Sequence, residues 1–266
     1  AYMDTMLNMD VMRLTRLPKG AKIIAANHPS TTDPFFVAAI LNQQSFILIN
    51  DLLFQVPVLG TYLRRSGHIP VCAGSGPAAI EAVLARLAAG KTVVIFPEGD
   101  LSPEDGGFLK PRTGVARLAL ASGAPVIPVG IHLQRERIHT VRSTVRGRVE
   151  YGRWYLRGPY NITVGQPLRY FGDVEDRALV RHVASSVMHH VIEMARESEK
   201  ERIAADFHDG PLQSFISFQL GLETVRRRME RDPAAGMEEL RELREVCDKQ
   251  VKEMRTFVRS MRPVEV

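Results

Sequence analysis

The sequence predicts an α/β domain followed by an all-α helical hairpin, and three observations carry that expectation. Short apolar runs of strand length, at 23–26, 46–50, 93–96 and 126–131, alternate with helix-like segments. Two of these runs feed turns rich in proline and polar residues, Asn27-His28-Pro29-Ser30 and Pro97-Glu98-Gly99. In the last part of the chain the apolar residues recur three and four apart in two stretches, separated by Asp232-Pro233.

Composition sets the bounds. A chain of 266 residues with 45% hydrophobic content can bury one sizeable core and still carry a smaller module. The expected division is residues 1–197 and 198–266. Residues 198–266 hold 13 Lys and Arg against 14 Asp and Glu, which leaves 22 and 16 to residues 1–197. The basic surplus thus belongs to the first domain. The two cysteines, Cys72 and Cys247, lack metal-ligand spacing and fit a reducing compartment. No apolar run reaches the roughly 18–20 residues that span a bilayer, and no leader pattern is visible, so a cytoplasmic protein is expected. A start at Ala1 reads as the start of a fragment.

In chain order, residues 2–14 are apolar with few charges and are expected to form a short helix. Leu17-Pro18-Lys19-Gly20 turns into the first strand, Ile23-Ile24-Ala25-Ala26. That strand ends at Asn27-His28-Pro29-Ser30-Thr31-Thr32-Asp33, which puts His28 at the carboxyl end of a strand, where open α/β sheets place their chemistry. An imidazole there can act as general base near neutral pH, and Asp33 can accept its other N–H and fix the tautomer. Asp33 before Pro34 also has the form of a helix N-cap followed by proline at the first helical position, and the spacing alone leaves both readings open. A helix over 35–41, a strand over 46–50 and short helices over 53–63 follow. A helix over 78–88, closed by Gly90, leads into Val93-Val94-Ile95-Phe96 and the turn Pro97-Glu98-Gly99. Lys110-Pro111-Arg112-Thr113-Gly114 enters a helix over 115–121, then a strand over 126–131. Next come Arg135, Arg137, Arg142, Arg146, Arg148, Arg153 and Arg157, interleaved with Tyr151, Trp154 and Tyr155. Arginine with amphipathic aromatics suits an anionic membrane surface. No nucleic-acid fold signature accompanies the patch, and nucleic acid is not expected as a partner. A strand near Val164 and a helix over 174–195, with no Gly or Pro to stop it before Phe207, complete the domain.

The ordered pair Asn27-His28-(four residues)-Asp33 and Phe96-Pro97-Glu98-Gly99 resembles the glycerolphosphate acyltransferase family typified by lysophosphatidic acid acyltransferases. Ser66-Gly67-His68-Ile69-Pro70-Val71, Val126-Ile127-Pro128-Val129 and Ile162-Thr163-Val164-Gly165-Gln166-Pro167-Leu168 extend the likeness over residues 10–196. The resemblance implies a mixed sheet flanked by helices. It implies transfer of a fatty acyl group from acyl-CoA or acyl carrier protein to a lysophospholipid-type hydroxyl, with no metal and no permanently bound cofactor. His28 is then the general base, Asp33 its orienter, and Glu98 holds the acceptor hydroxyl. Asn27, Pro97 and Gly99 shape the substrate site. The chain departs from the family where arginines customarily hold the acceptor's phosphate, with Ala73 and Leu101 at those positions. Arg64, Arg65, Lys110 and Arg112 are the substitute cations the sequence offers.

The segment Glu201-Arg202-Ile203-Ala204-Ala205-Asp206-Phe207-His208-Asp209-Gly210-Pro211-Leu212-Gln213 resembles the dimerisation and phosphoacceptor domain of sensor histidine kinases of the HDxxxQ class, and the likeness covers residues 199–266. It implies that His208 accepts a phosphoryl group, Asp209 removes its proton and Gln213 orients water in the reverse reaction. Phe215, Phe218, Leu222, Val225 and Met229 form one apolar stripe; Leu240, Leu243, Val246, Val251, Met254 and Val258 form another. Two such helices cannot bury both stripes alone, which predicts a homodimeric four-helix bundle through residues 203–258. A response regulator is the implied partner if an ATP-binding domain completes the kinase. Two functions follow: an acyltransferase coupled to a phosphoacceptor module, peripheral at the inner face of the membrane, or a catalytically weak acyltransferase-like lipid sensor of a histidine kinase.

Overall fold

The computed structural model describes residues 6–41, 43–72, 76–145, 148–207 and 213–260. The chain forms two compact units, Ala1–Glu199 and Lys200–Val266.

The first unit is built on a seven-stranded mixed sheet. Its strands are β1 (Met9–Arg13), β2 (Lys22–Ala26), β3 (Ser45–Asn50), β4 (Ile69–Val71), β5 (Thr92–Ile95), β6 (Val126–Leu133) and β9 (Tyr160–Val164), in the order β1-β9-β6-β2-β5-β3-β4. All neighbours are parallel except β6 and β9. The central strands β2 and β5 are buried along their whole length, and apolar after Lys22 and Thr92, because both faces are covered, as parallel sheets require. Side chains alternate between the two faces. Ile24, Ala26, Val94, Phe96 and Ile127 pack with Phe36 and Val37 of α1 (Asp33–Ala39), and with Leu63 of α2 (Leu59–Arg65). Ile23, Ala25, Val93, Ile95 and Val126 pack against α3 (Gly76–Ala88), α4 (Gly114–Ser122) and the first turns of α5 (Arg177–Phe207).

Two parts of this domain differ from expectation. Residues 2–14 were expected to be helical; instead Met9–Arg13 is a strand, paired in parallel register with Tyr160–Val164. Leu7, just before it, is fully buried. Tertiary pairing overrides local propensity here, since β9 needs a partner on its open edge. The arginine-rich segment is a separate hairpin of β7 (Ile138–Val145) and β8 (Arg148–Tyr155). Its base is not the solvated, lipid-facing surface the sequence suggests. Tyr155 and Arg153, which share one face of β8, are 0% and 8% exposed.

α5 starts at a cap in which the backbone N–H groups of Ala178 and Leu179 donate to Asp176 Oδ1. It comes so close to β6 that a Cβ on Gly130 would sit 1.9 Å from the nitrogen of Ala195. Glycine is required there by close backbone approach. Ser198 closes the contact, donating 2.8 Å to Thr163 Oγ1 at 1% exposure.

In the second unit α6 (Gln213–Arg231) and α7 (Pro233–Ser260) form a helical hairpin. Asp232 breaks the chain and caps α7, accepting from Ala234 and Ala235 N–H at 3.1 Å each, with Pro233 at the first helical position. Gly221 of α6 lies against Leu243 of α7. His208 and Asp209 lie outside the described residues, and Gln213 opens α6.

Candidate active site

Two loops at the carboxyl ends of the adjacent strands β2 and β5 meet to form the site. The first is the stretch after Ala26. The Asn27 side chain behaves as one more backbone unit: Nδ2 donates to the Ile131 carbonyl at 2.9 Å, and Oδ1 accepts from the Ile131 N–H at 2.7 Å. With both ends of its amide bonded to Ile131 and 3% exposure, Asn27 fixes the loop.

His28 follows. Its Nδ1 lies 3.0 Å from Asp33 Oδ2, and its ring stacks on Phe96 with centroids 4.1 Å apart. Asp33 has no exposed surface, yet its carboxylate is fully satisfied. Oδ2 also accepts the Ser30 N–H at 2.7 Å, while Oδ1 accepts Ser30 Oγ–H and Tyr160 O–H, each at 2.6 Å. A buried carboxylate persists only with such partners. Since Asp33 Oδ2 offers only an acceptor, the network puts a proton on Nδ1 and leaves the lone pair on Nε2. Among the described residues Nε2 has no partner, and the His28 side chain is 17% exposed. The capping reading of Asp33 is corrected: Thr32 takes the cap position with no side-chain capping bond, and Asp33 is the first residue of α1, its carboxylate turned to the imidazole.

The second loop follows β5. Glu98 is 2% exposed. Its Oε1 accepts the His28 N–H at 3.1 Å and Ser102 Oγ–H at 2.6 Å, and its Oε2 accepts the Leu109 N–H at 2.8 Å. Both oxygens thus tie the two loops together, and Oε2 keeps one acceptor position beyond the Leu109 N–H. Gly99 sits at φ +69 with the Arg112 side chain over it, so a Cβ would fall 2.3 Å from Arg112 Nε. Pro97 contributes its carbonyl, which accepts the Arg112 N–H at 2.8 Å. Lys110 and Arg112 are exposed beside this loop.

Arg64 and Arg65 are not joined to this constellation by any contact among the described residues. Arg64 instead donates to the Phe54 carbonyl, ahead of the edge strand β4. Three contributors escape sequence reasoning. Phe96 lay within a recognised motif, but its stacking needed the fold. Tyr160 is 127 positions from Asp33, with no local signal. Arg153 is the third: its backbone exchanges two hydrogen bonds with Thr31, N–H to Oγ1 at 2.9 Å and carbonyl from the Thr31 N–H at 2.7 Å. Burial pushes the Tyr160 hydroxyl well above its ordinary value, and the Asp33 charge adds to the effect, so Tyr160 stays a donor at working pH.

Residues 8–132 match the family model described as Acyltransferase, and residues 199–266 match the one described as Histidine kinase. The chain joins an acyltransferase-family domain to a histidine kinase module. The crystal structure of the 1-acyl-sn-glycerophosphate acyltransferase PlsC from Thermotoga maritima superposes on 74% of this chain and 73% of that one, with a TM-score of 0.52 at 21% identity. That likeness shows a common fold. An uncharacterized sensor-like histidine kinase of Chloroflexus aurantiacus is 35% identical over 68 residues, which is 26% of this chain and 11% of that protein. An uncharacterized protein of Mycobacterium tuberculosis is 24% identical over 160 residues, 54% of this chain and 42% of its own length. The chain thus spans less than half the length of these curated relatives. Within the acyltransferase domain, the loops after β2 and β5 carry the His28 and Glu98 motifs on which the family resemblance rests.

Proposed function

We propose that the acyltransferase domain moves a fatty acyl group from a thioester donor, acyl-CoA or acyl carrier protein, to the hydroxyl of a lysophospholipid-type acceptor. The observation that carries this reading is the His28–Asp33 pair: a partly exposed imidazole with Nε2 unpartnered and Nδ1 fixed by a buried, four-fold satisfied carboxylate. Such an imidazole is a positioned general base. Nε2 takes the proton of the acceptor hydroxyl as its oxygen attacks the thioester carbonyl. Asp33 stabilises the imidazolium that forms. The C–S bond then breaks and the departing thiolate recovers the proton, leaving an ester and a free thiol. Glu98 acts as a positioning residue, holding the His28 backbone against the second loop.

The acceptor and donor chains are amphipathic, and the first domain carries the basic surplus, which supports work at an anionic membrane surface. The second unit is a dimerising phosphoacceptor module with His208 as acceptor, served by a response regulator where an ATP-binding domain is present. The fusion itself favours a second reading, in which occupancy of the acyltransferase site is sensed and turnover is dispensable. Free thiol separates the two. With acyl-CoA and lysophosphatidate, the enzyme reading predicts acceptor-dependent release of many equivalents of CoA per chain over an hour. Binding of both ligands with less than one equivalent released establishes the sensor and overturns the enzyme.

A further inference from the structure

Resting on the acyl-transfer reading, we infer that the cleft between α2 and α3 is the docking surface of an acyl carrier protein, an acidic protein that presents the acyl thioester on a phosphopantetheine arm. The cleft lies beside the edge strand β4 and has a volume of about 710 Å³. Among the described residues its walls hold three exposed cations, Arg64, Arg86 and Lys91, and no carboxylate. None of the three is ion-paired among the described residues. Arg64 donates to the Phe54 carbonyl, and the Arg86 guanidinium lies over the Phe46 ring, 4.5 Å from its centroid. Both contacts hold a cation in place without neutralising it. His68, also in the wall, adds no charge, since its Nδ1 accepts the Ile47 N–H at 3.2 Å and burial pushes its pKa down. Unpaired cations around one rim repel each other, and a partner that brings carboxylates to them relieves the repulsion.

Shape selects a protein over a small anion. The floor is made by Ala82, Ala85 and Ala89, three and four residues apart and all exposed. Side chains this short let the backbone of a partner helix come close, and they span two helical turns, about 10 Å. Phe54, the benzene ring in the walls, is 7% exposed and offers no face on which the base of a nucleotide could stack. Distance then links the cleft to His28. β4 is three strands from β2, about 14 Å across the sheet. Ile69, in the cleft wall, pairs with Leu48, one residue beyond the row of Ile47, Val94 and Ile24, so it stands level with Ala25. His28 is three residues further, about 10 Å along the strand direction. The resulting separation of about 17 Å is within reach of an extended phosphopantetheine arm. A carrier seated on the cleft can therefore deliver its thioester to the Nε2 side of His28 while its body stays outside the site.

The test uses the full chain with two donors of the same acyl group, palmitoyl-CoA and palmitoyl carrier protein, and lysophosphatidate as acceptor. The variants are Lys91→Glu and Arg86→Glu, which reverse a rim charge, and Ala85→Tyr, which fills the floor and keeps every cation. Calorimetry should show binding of the palmitoyl carrier by wild type, with Kd raised about ten-fold or more in each variant. kcat/KM for the carrier should fall in the same proportion, while kcat/KM for palmitoyl-CoA moves less than two-fold, which also shows that the variants are folded. Carrier binding that weakens in the variants, without transfer from either donor, retains the docking surface and removes the acyl-transfer reading. Absence of carrier binding by wild type overturns the inference, as does an affinity equal in wild type and variants. A loss shared by palmitoyl-CoA assigns the cleft to the phosphates of CoA, and a change in sedimentation assigns it to a second copy of the chain; either result overturns it as well.

Discussion

Tyr160 and Asp33 show how much of the site rests on single atoms. The Tyr160 hydroxyl donates 2.6 Å to Asp33 Oδ1, and the ring is wholly buried between Phe36 and Tyr155. Tyr160→Phe keeps the ring and removes one of four donors to a buried carboxylate. Losing a hydrogen bond to a charged group costs about 1.5–3 kcal/mol. Thermal or urea unfolding should therefore show a loss of about that size, and kcat should fall about ten-fold with little change in KM as the imidazole loses its fixed support. A variant as active and stable as wild type would show that Asp33 does not depend on this bond. The His28 and Asp33 pairing was legible because both lie in one seven-residue loop, and Glu98 was legible as a motif residue. Its role was not. Whether a carboxylate meets a substrate or a backbone N–H depends on where Leu109 and Ser102 fold, which no local pattern states. Arg153 was misread for a related reason, since an arginine in an exposed-looking hairpin is buried only when the hairpin base lies on the Thr31 loop.

The elements were largely readable where both faces of a strand are buried, because continuous apolar runs such as Val93-Val94-Ile95 have few other uses. The start of the chain was not. An edge strand with one partner has no strict alternation, and Met9–Arg13 takes its conformation from β9 rather than from its own sequence. The consequence is energetic. Leu7 is fully buried, and its carbonyl accepts the Tyr160 N–H at 3.1 Å. Leu7→Ala should cost about 2–4 kcal/mol through the cavity it leaves. For a domain of this size that is a drop of roughly 10 °C in thermal midpoint. A midpoint within a degree or two of wild type would mean that the N-terminal segment is dispensable, as a frayed helix would be.

At the scale of the whole chain there are two compact units, matched by two different family models. The hairpin of α6 and α7 leaves Phe215, Leu220, Leu222, Met237, Val246 and Val251 at least 40% exposed, a set of apolar side chains that a second copy of the hairpin can cover. Ser198 is buried within the first unit, so a cut after Glu199 removes the module without opening the acyltransferase core. Sedimentation of residues 1–199 should give a monomer where the full chain gives a dimer, with acyl transfer retained within about two-fold. A dimer surviving the cut would place the interface in the first domain. All of these outcomes presuppose that the His28 and Asp33 pair performs acyl transfer. The most direct test is mass-spectrometric detection of the new ester when the full chain is given acyl-CoA and lysophosphatidate, compared between wild type and His28→Ala. The account predicts ester formation by wild type and a loss of at least about 100-fold in a folded His28→Ala variant; ester formed at the wild-type rate without the imidazole would contradict it.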